Sequence, residues 1–110
     1  MFVNEETVND YKKQGVALLR NVISSDWLER LAKGIEKNFL NPSKYKCVYE
    51  QENGKEIFYD DYCNWQRIEE YKDFIFNSDI AKIAAQLMQS KKVNLFHEHV
   101  LIKEPGAKKR

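Results

Sequence analysis

The sequence predicts an α+β fold in one domain, on three observations. Apolar residues recur at helical spacing from Trp27 to Phe39 and again from Ile80 to Met88. An Asn53-Gly54 pair separates two runs of strand-forming residues, the strongest short signal for a hairpin. The segment 93–102 alternates as a strand does. With 110 residues and no linker, repeat or low-complexity tract, residues 1–110 read as a single domain.

The elements follow in chain order. A short helix is expected over Glu5–Gln14, with Asn4 as its N-cap and Gly15 as its stop. Residues 16–19 form a short apolar run, read as a buried strand, which leads through Arg20 and Asn21 to Val22 and Ile23. Ser24 and Ser25 offer an N-cap, with Asp26 in the first turn. Behind them Trp27, Leu28, Leu31, Ala32, Ile35 and Phe39 make one apolar helical face. Gly34 weakens this helix, and Asn41-Pro42 ends it. Two hairpin strands are expected at 44–50 and 56–60. Residues 60–65 read as irregular, a helix follows over 67–76, and Ser78 caps another. The last strand spans 93–102.

Composition narrows the function. Hydrophobic residues make up 43% of the chain and charged residues 32%, the balance of a globular domain. A formal net charge of +1, with both signs interspersed, leaves no electrostatic footprint for nucleic acid. No apolar run approaches a membrane span, and the polar, acidic N-terminus is unlike a signal peptide. Cys47 and Cys63 have no metal-type spacing. They are expected as reduced thiols in a cytoplasmic protein. Aromatic residues reach 13% and concentrate between Tyr45 and Phe76, as core or as pocket lining.

Few residues carry chemistry. Alternation puts Val93, Leu95, His97, His99, Leu101 and Lys103 on one side of the last strand and Glu98 on the other. Two imidazoles on one face can chelate a metal, but nothing marks a third ligand, and neutral hydrogen-bonded histidines are the expected reading of the pair. Asp60-Asp61 has the composition of a paired-carboxylate site, although adjacent acids in an irregular segment are expected to be solvated or to cap a helix. Trp65-Gln66-Arg67 groups a ring, an amide and a guanidinium, a set able to grip a carboxylate or phosphate or simply to start a helix. No nucleophile motif or phosphate-binding glycine loop is present.

The segment LFHEHVLIKEPGAKKR resembles the strand and turn that run into the iron site in the phytanoyl-CoA dioxygenase family. There a Lys-Glu-Pro-Gly-like turn precedes a Thr-Pro-Trp-His-x-Asp-like motif. YKKQGVALLRNVISSDWLERL is similar to that family's opening strand and helix, and YDDYCNWQRIEEYKDFIFNSDIAKIAAQLMQS to its middle. The resemblance implies the outer helices and first strands of a double-stranded β-helix, or jelly roll. It also implies an enzyme that uses Fe(II) and 2-oxoglutarate to hydroxylate a small organic molecule, with iron on two histidines and a carboxylate.

The chain carries no His-x-Asp, so the resemblance makes it the N-terminal part of such an oxygenase, truncated before the iron motif and inactive alone. It assigns no metal ligand here. His99 and Lys103 are implied to approach the cosubstrate, and Trp65, Gln66 and His97 to line the substrate pocket. Iron and 2-oxoglutarate belong to the complete enzyme, and neither is expected on this chain by itself. An alternative is a non-catalytic binding or dimerisation module of the same origin, self-associating through an exposed strand edge. A third reading is a self-contained metal site at His97 and His99.

Overall fold

The computed structural model describes residues 2–49 and 58–105, and these form a mixed α+β fold of four helices and a three-stranded antiparallel sheet. The order is α1 (Glu5–Gln14), α2 (Ser25–Leu40), β1 (Cys47–Tyr49), β2 (Phe58–Tyr62), α3 (Glu69–Asn77), α4 (Ile80–Met88) and β3 (His99–Lys103). β2 lies between β1 and β3. No helix among the described residues is long and apolar enough to cross a membrane.

The helices follow local chemistry. The Asn4 side chain accepts from Thr7 N–H at 2.8 Å, and Gly15 closes α1 at φ 75°, a conformation that costs glycine little. Ser24 caps α2 by accepting from Trp27 N–H at 3.3 Å. Gly34 has a role that helix propensity does not reveal. A Cβ there would stand 2.8 Å from Cε1 of Tyr71 and 3.0 Å from Cβ of Glu70, so the missing side chain lets α3 pack closely on α2. Two ion pairs flank this contact, Arg30 to Asp73 and Lys37 to Glu70, each at 2.5 Å. α4 starts two residues beyond the expected cap, yet Ser78 Oγ still accepts from Ile80 N–H at 3.2 Å.

A small core of Val3, Val8 and Ile83 joins α1 to α4, with Leu19, Val22, Ile23 and Leu87 packed around it. Gln86 Oε1 ties the N-terminus down by accepting from the backbone N–H of Phe2 and Val3.

Four expectations about strands need correction. Residues 16–19 are extended but form no strand; Val16 and Leu18 are 64% and 71% exposed while Leu19 turns inward. A short apolar run alone does not make a strand, which also needs a hydrogen-bonded neighbour. Residues 60–62 are not irregular but belong to β2, and Asp60 and Asp61 are buried rather than solvated. β3 begins at His99 rather than 93, because its partner ends at Tyr62 and Cys63 turns away at φ 61°. The hairpin strands are Cys47–Tyr49 and Phe58–Tyr62, shifted from the expected spans, and the Asn53-Gly54 turn lies outside the described residues.

Candidate functional site

The register of β2 sorts the sheet into two faces. Val48 is opposite Tyr59 and Tyr59 opposite Ile102; Asp61 is opposite Val100. These residues share the face that packs on α2. There Phe39 stacks on Tyr59 at 4.0 Å between ring centroids, and Asn38 Nδ2 donates to Asp61 at 2.8 Å. The same Asn38 accepts from Tyr71 Oη at 3.0 Å.

Asp61 is fully buried. Besides Asn38, it accepts from Ser43 N–H at 2.8 Å, Ser43 Oγ at 2.5 Å and Tyr62 N–H at 2.9 Å. Burial pushes its carboxyl up, but the bonds from Ser43, Asn38 and Tyr62 outweigh that and hold it below the usual carboxylate range. Burial also drives the Tyr71 phenol well above its ordinary value. This is a structural hub, ionised and fully bonded.

The opposite face holds His99 and Lys103 beside a cluster of rings. Cys47, Asp60 and Leu101 form one row, Tyr49, Phe58 and Lys103 the next, and Tyr62 stands beside His99. Rings surround the centre. Tyr45 stacks on Tyr62 at 4.7 Å, Tyr49 meets Phe58 edge-on at 4.9 Å, and the rings of His97 and His99 lie 5.6 and 5.1 Å from that of Tyr62. Asp60, only 5% exposed, sits in their midst. Its Oδ1 is 3.7 Å from His99 Nε2. Tyr49 is hydrogen-bonded to both Cys47 and Asp60; the Cys47 bond, then burial, then the Asp60 bond push its phenol up to about 12.

β3 alternates cleanly, with His99, Leu101 and Lys103 exposed and Val100 and Ile102 half-buried. The Cys63 N–H donates to the Glu98 carbonyl at 3.2 Å. In an antiparallel ladder this parity turns the backbone of Val100 and Ile102 toward β2, and that of His99, Leu101 and Lys103 toward the open edge. Among the described residues no strand pairs with that edge.

The expected site residues separate into two groups. His97, His99 and Lys103 lie on or beside the ring-lined face. His97 precedes β3, its ring tilted against that of Phe96 at 4.5 Å between centroids. Trp65 instead packs edge-on against Phe76 of α3 at 5.7 Å, and Gln66 is exposed in the turn after β2. Glu98, expected to point away from the histidines, accepts from the backbone N–H of Asn64 and of Trp65, which anchors that turn. Sequence reading missed Tyr45, Tyr49, Asp60 and Tyr62 as members of the face. The period-two pattern of FYDDY was the available signal, since it separates Phe58, Asp60 and Tyr62 from Tyr59 and Asp61.

Among the described residues, no group of three or more His, Cys, Asp or Glu side chains is gathered to hold a metal ion. The two imidazole centroids are 6.2 Å apart, and among the described residues a carboxylate, Asp60, lies 3.7 Å from His99. Lys103 is exposed on the same face. Both thiols are free: Cys47 lies opposite Asp60, three residues from Cys63 and about 10 Å away along the sheet, too far for a disulfide. Comparison with protein-family models, with curated proteins and with solved structures returns no match to this chain.

Proposed function

We propose that the chain is the N-terminal part of an Fe(II)/2-oxoglutarate-dependent oxygenase of the phytanoyl-CoA dioxygenase type, in which the ring-lined sheet face is a pocket wall. One observation carries the reading: His99, Leu101 and Lys103 present an imidazole, an apolar patch and a cation along the exposed face of one strand, beside a cluster of tyrosines. His99 and Lys103 are four residues apart, about 13 Å along the strand. They serve separate ends of a pocket, with Lys103 suited to an organic carboxylate. His97 belongs to the wall of the same pocket, whereas Trp65 and Gln66 stand apart from it in the turn after β2. The protein is cytoplasmic in this reading, with both cysteines reduced.

Iron would come to ligands outside this sequence, which contains no His-x-Asp. The test is an anaerobic titration with Fe(II) and 2-oxoglutarate, followed by the visible charge-transfer band of the chelate. The 110-residue chain alone gives no band; the same chain continued by a segment bearing His-x-Asp does. Within that longer protein, Lys103→Met weakens 2-oxoglutarate binding about tenfold, the scale of one charge-assisted hydrogen bond. Failure of the longer protein to give the band ends the oxygenase reading.

The open β3 edge favours a second reading, a non-catalytic module that self-associates by adding a strand.

A further inference from the structure

We infer that Asp60 is a positioning residue for His99: it turns the Nε2–H of the imidazole toward the sheet and leaves Nδ1 as the nitrogen offered to a ligand. A carboxylate only 5% exposed needs donors, because a buried charge without them costs several kcal/mol. Tyr49 supplies one donor. Nε2 of His99 also faces Asp60, 3.7 Å from its Oδ1 and just outside hydrogen-bond length. A neutral imidazole that faced the carboxylate with its lone pair would be repelled, so the proton resides on Nε2. The Tyr62 ring, 5.1 Å from that of His99, restricts the imidazole from a second side.

The consequence concerns ligand chemistry, and that half rests on the pocket reading above. With Nε2–H committed to Asp60, neutral His99 presents an acceptor. It takes a hydroxyl or amino group of the substrate and leaves carboxylate recognition to Lys103. The two residues that the family resemblance assigns together to the cosubstrate therefore part company. The ligand class that suits the face is an organic acid whose hydroxyl or amine lies some distance from its carboxylate.

The ring orientation is tested on the chain alone, without iron or ligand, so its outcome is independent of the oxygenase reading. In a uniformly 15N-labelled sample at pH 9, where free imidazole is neutral, long-range 1H–15N correlations report the tautomer of each histidine. His99 gives a single Nε2–H tautomer with a slowly exchanging Nε2 proton, while His97, half-buried against Tyr62 and Phe96, gives the averaged pattern of two tautomers. Asp60→Leu abolishes the slow proton, and His99 then matches His97. Tyr49→Phe retains it. Should Asp60→Leu not fold, Asp60→Asn, which keeps the size and loses the charge, speeds that exchange about tenfold. An averaged His99 in the wild-type chain, or a slow proton indifferent to Asp60, overturns the inference.

Discussion

Asp61 meets four donors from three residues, Asn38, Ser43 and Tyr62, and has no solvent contact. Its carboxyl lies below the usual range in the folded chain. A depressed folded-state value means that the unfolded chain binds the proton more readily. The stabilisation is therefore complete above the unfolded carboxylate value of about 4 and is lost as the pH falls through the lower folded value. Glu70, held low by the hydrogen bond from Lys37, acts in the same direction. Asp61→Ala is expected to cost about 3 kcal/mol in urea unfolding at pH 7 and to flatten the loss of stability below about pH 4. An unchanged acid limb would show that other groups set it. Nothing local marks Asp61 for this role. Its partners Ser43 and Asn38 lie 18 and 23 positions away, and the adjacent Asp60, of the same residue type, faces the opposite side. The face of each acid follows from period-two alternation, but its burial depends on which helix covers that face.

At the scale of elements, the helices were legible because their signals are local. α1 has the bounds that its cap and glycine define, and α2 lies between Ser24 and Asn41 as read. The strands were less legible because pairing decides them. Residues 16–19 are as apolar as a strand requires, yet among the described residues only β3 has a strand neighbour. Gly34 illustrates the same limit inside a helix. By propensity, Gly34→Ala should stabilise α2 by about 1 kcal/mol. Contact with the rigid Tyr71 ring at 2.8 Å and with Cβ of Glu70 at 3.0 Å predicts the reverse, a net loss of about 1–3 kcal/mol from overpacking. Thermal unfolding measures the sign directly, and a raised Tm would show that α2 and α3 separate at little cost.

At the scale of the whole molecule, much apolar surface is left in contact with water. Phe96 is 89% exposed, Leu40 80%, Leu18 71% and Leu101 57%. Leu101 lies on the open edge of β3, where its backbone and those of His99 and Lys103 have no strand partner among the described residues. Such an edge is a template for another strand, and Lys103 is the one charge it carries against that outcome. Light scattering across a hundredfold range of concentration should show the apparent mass rising above 13.1 kDa. Leu101→Lys, which adds a charge at mid-strand, should hold it at the monomer. A constant mass in the unmodified chain would rule out the edge as a self-association surface.

β2 also behaves as a reading frame. Its five residues place Asp61 toward the helices and Asp60 toward the ring-lined face, and each acid finds its donors only there. A shift of one residue exchanges the two environments, giving the Asn38–Ser43 donors a different side chain and stranding both charges. Two neighbouring aspartates thus check the alignment of the sheet more stringently than an apolar strand could, since a hydrophobic residue in the wrong place is tolerated and a buried, unbonded carboxylate is not. Single-residue insertions between Phe58 and Tyr62 should therefore be far more damaging than most substitutions there.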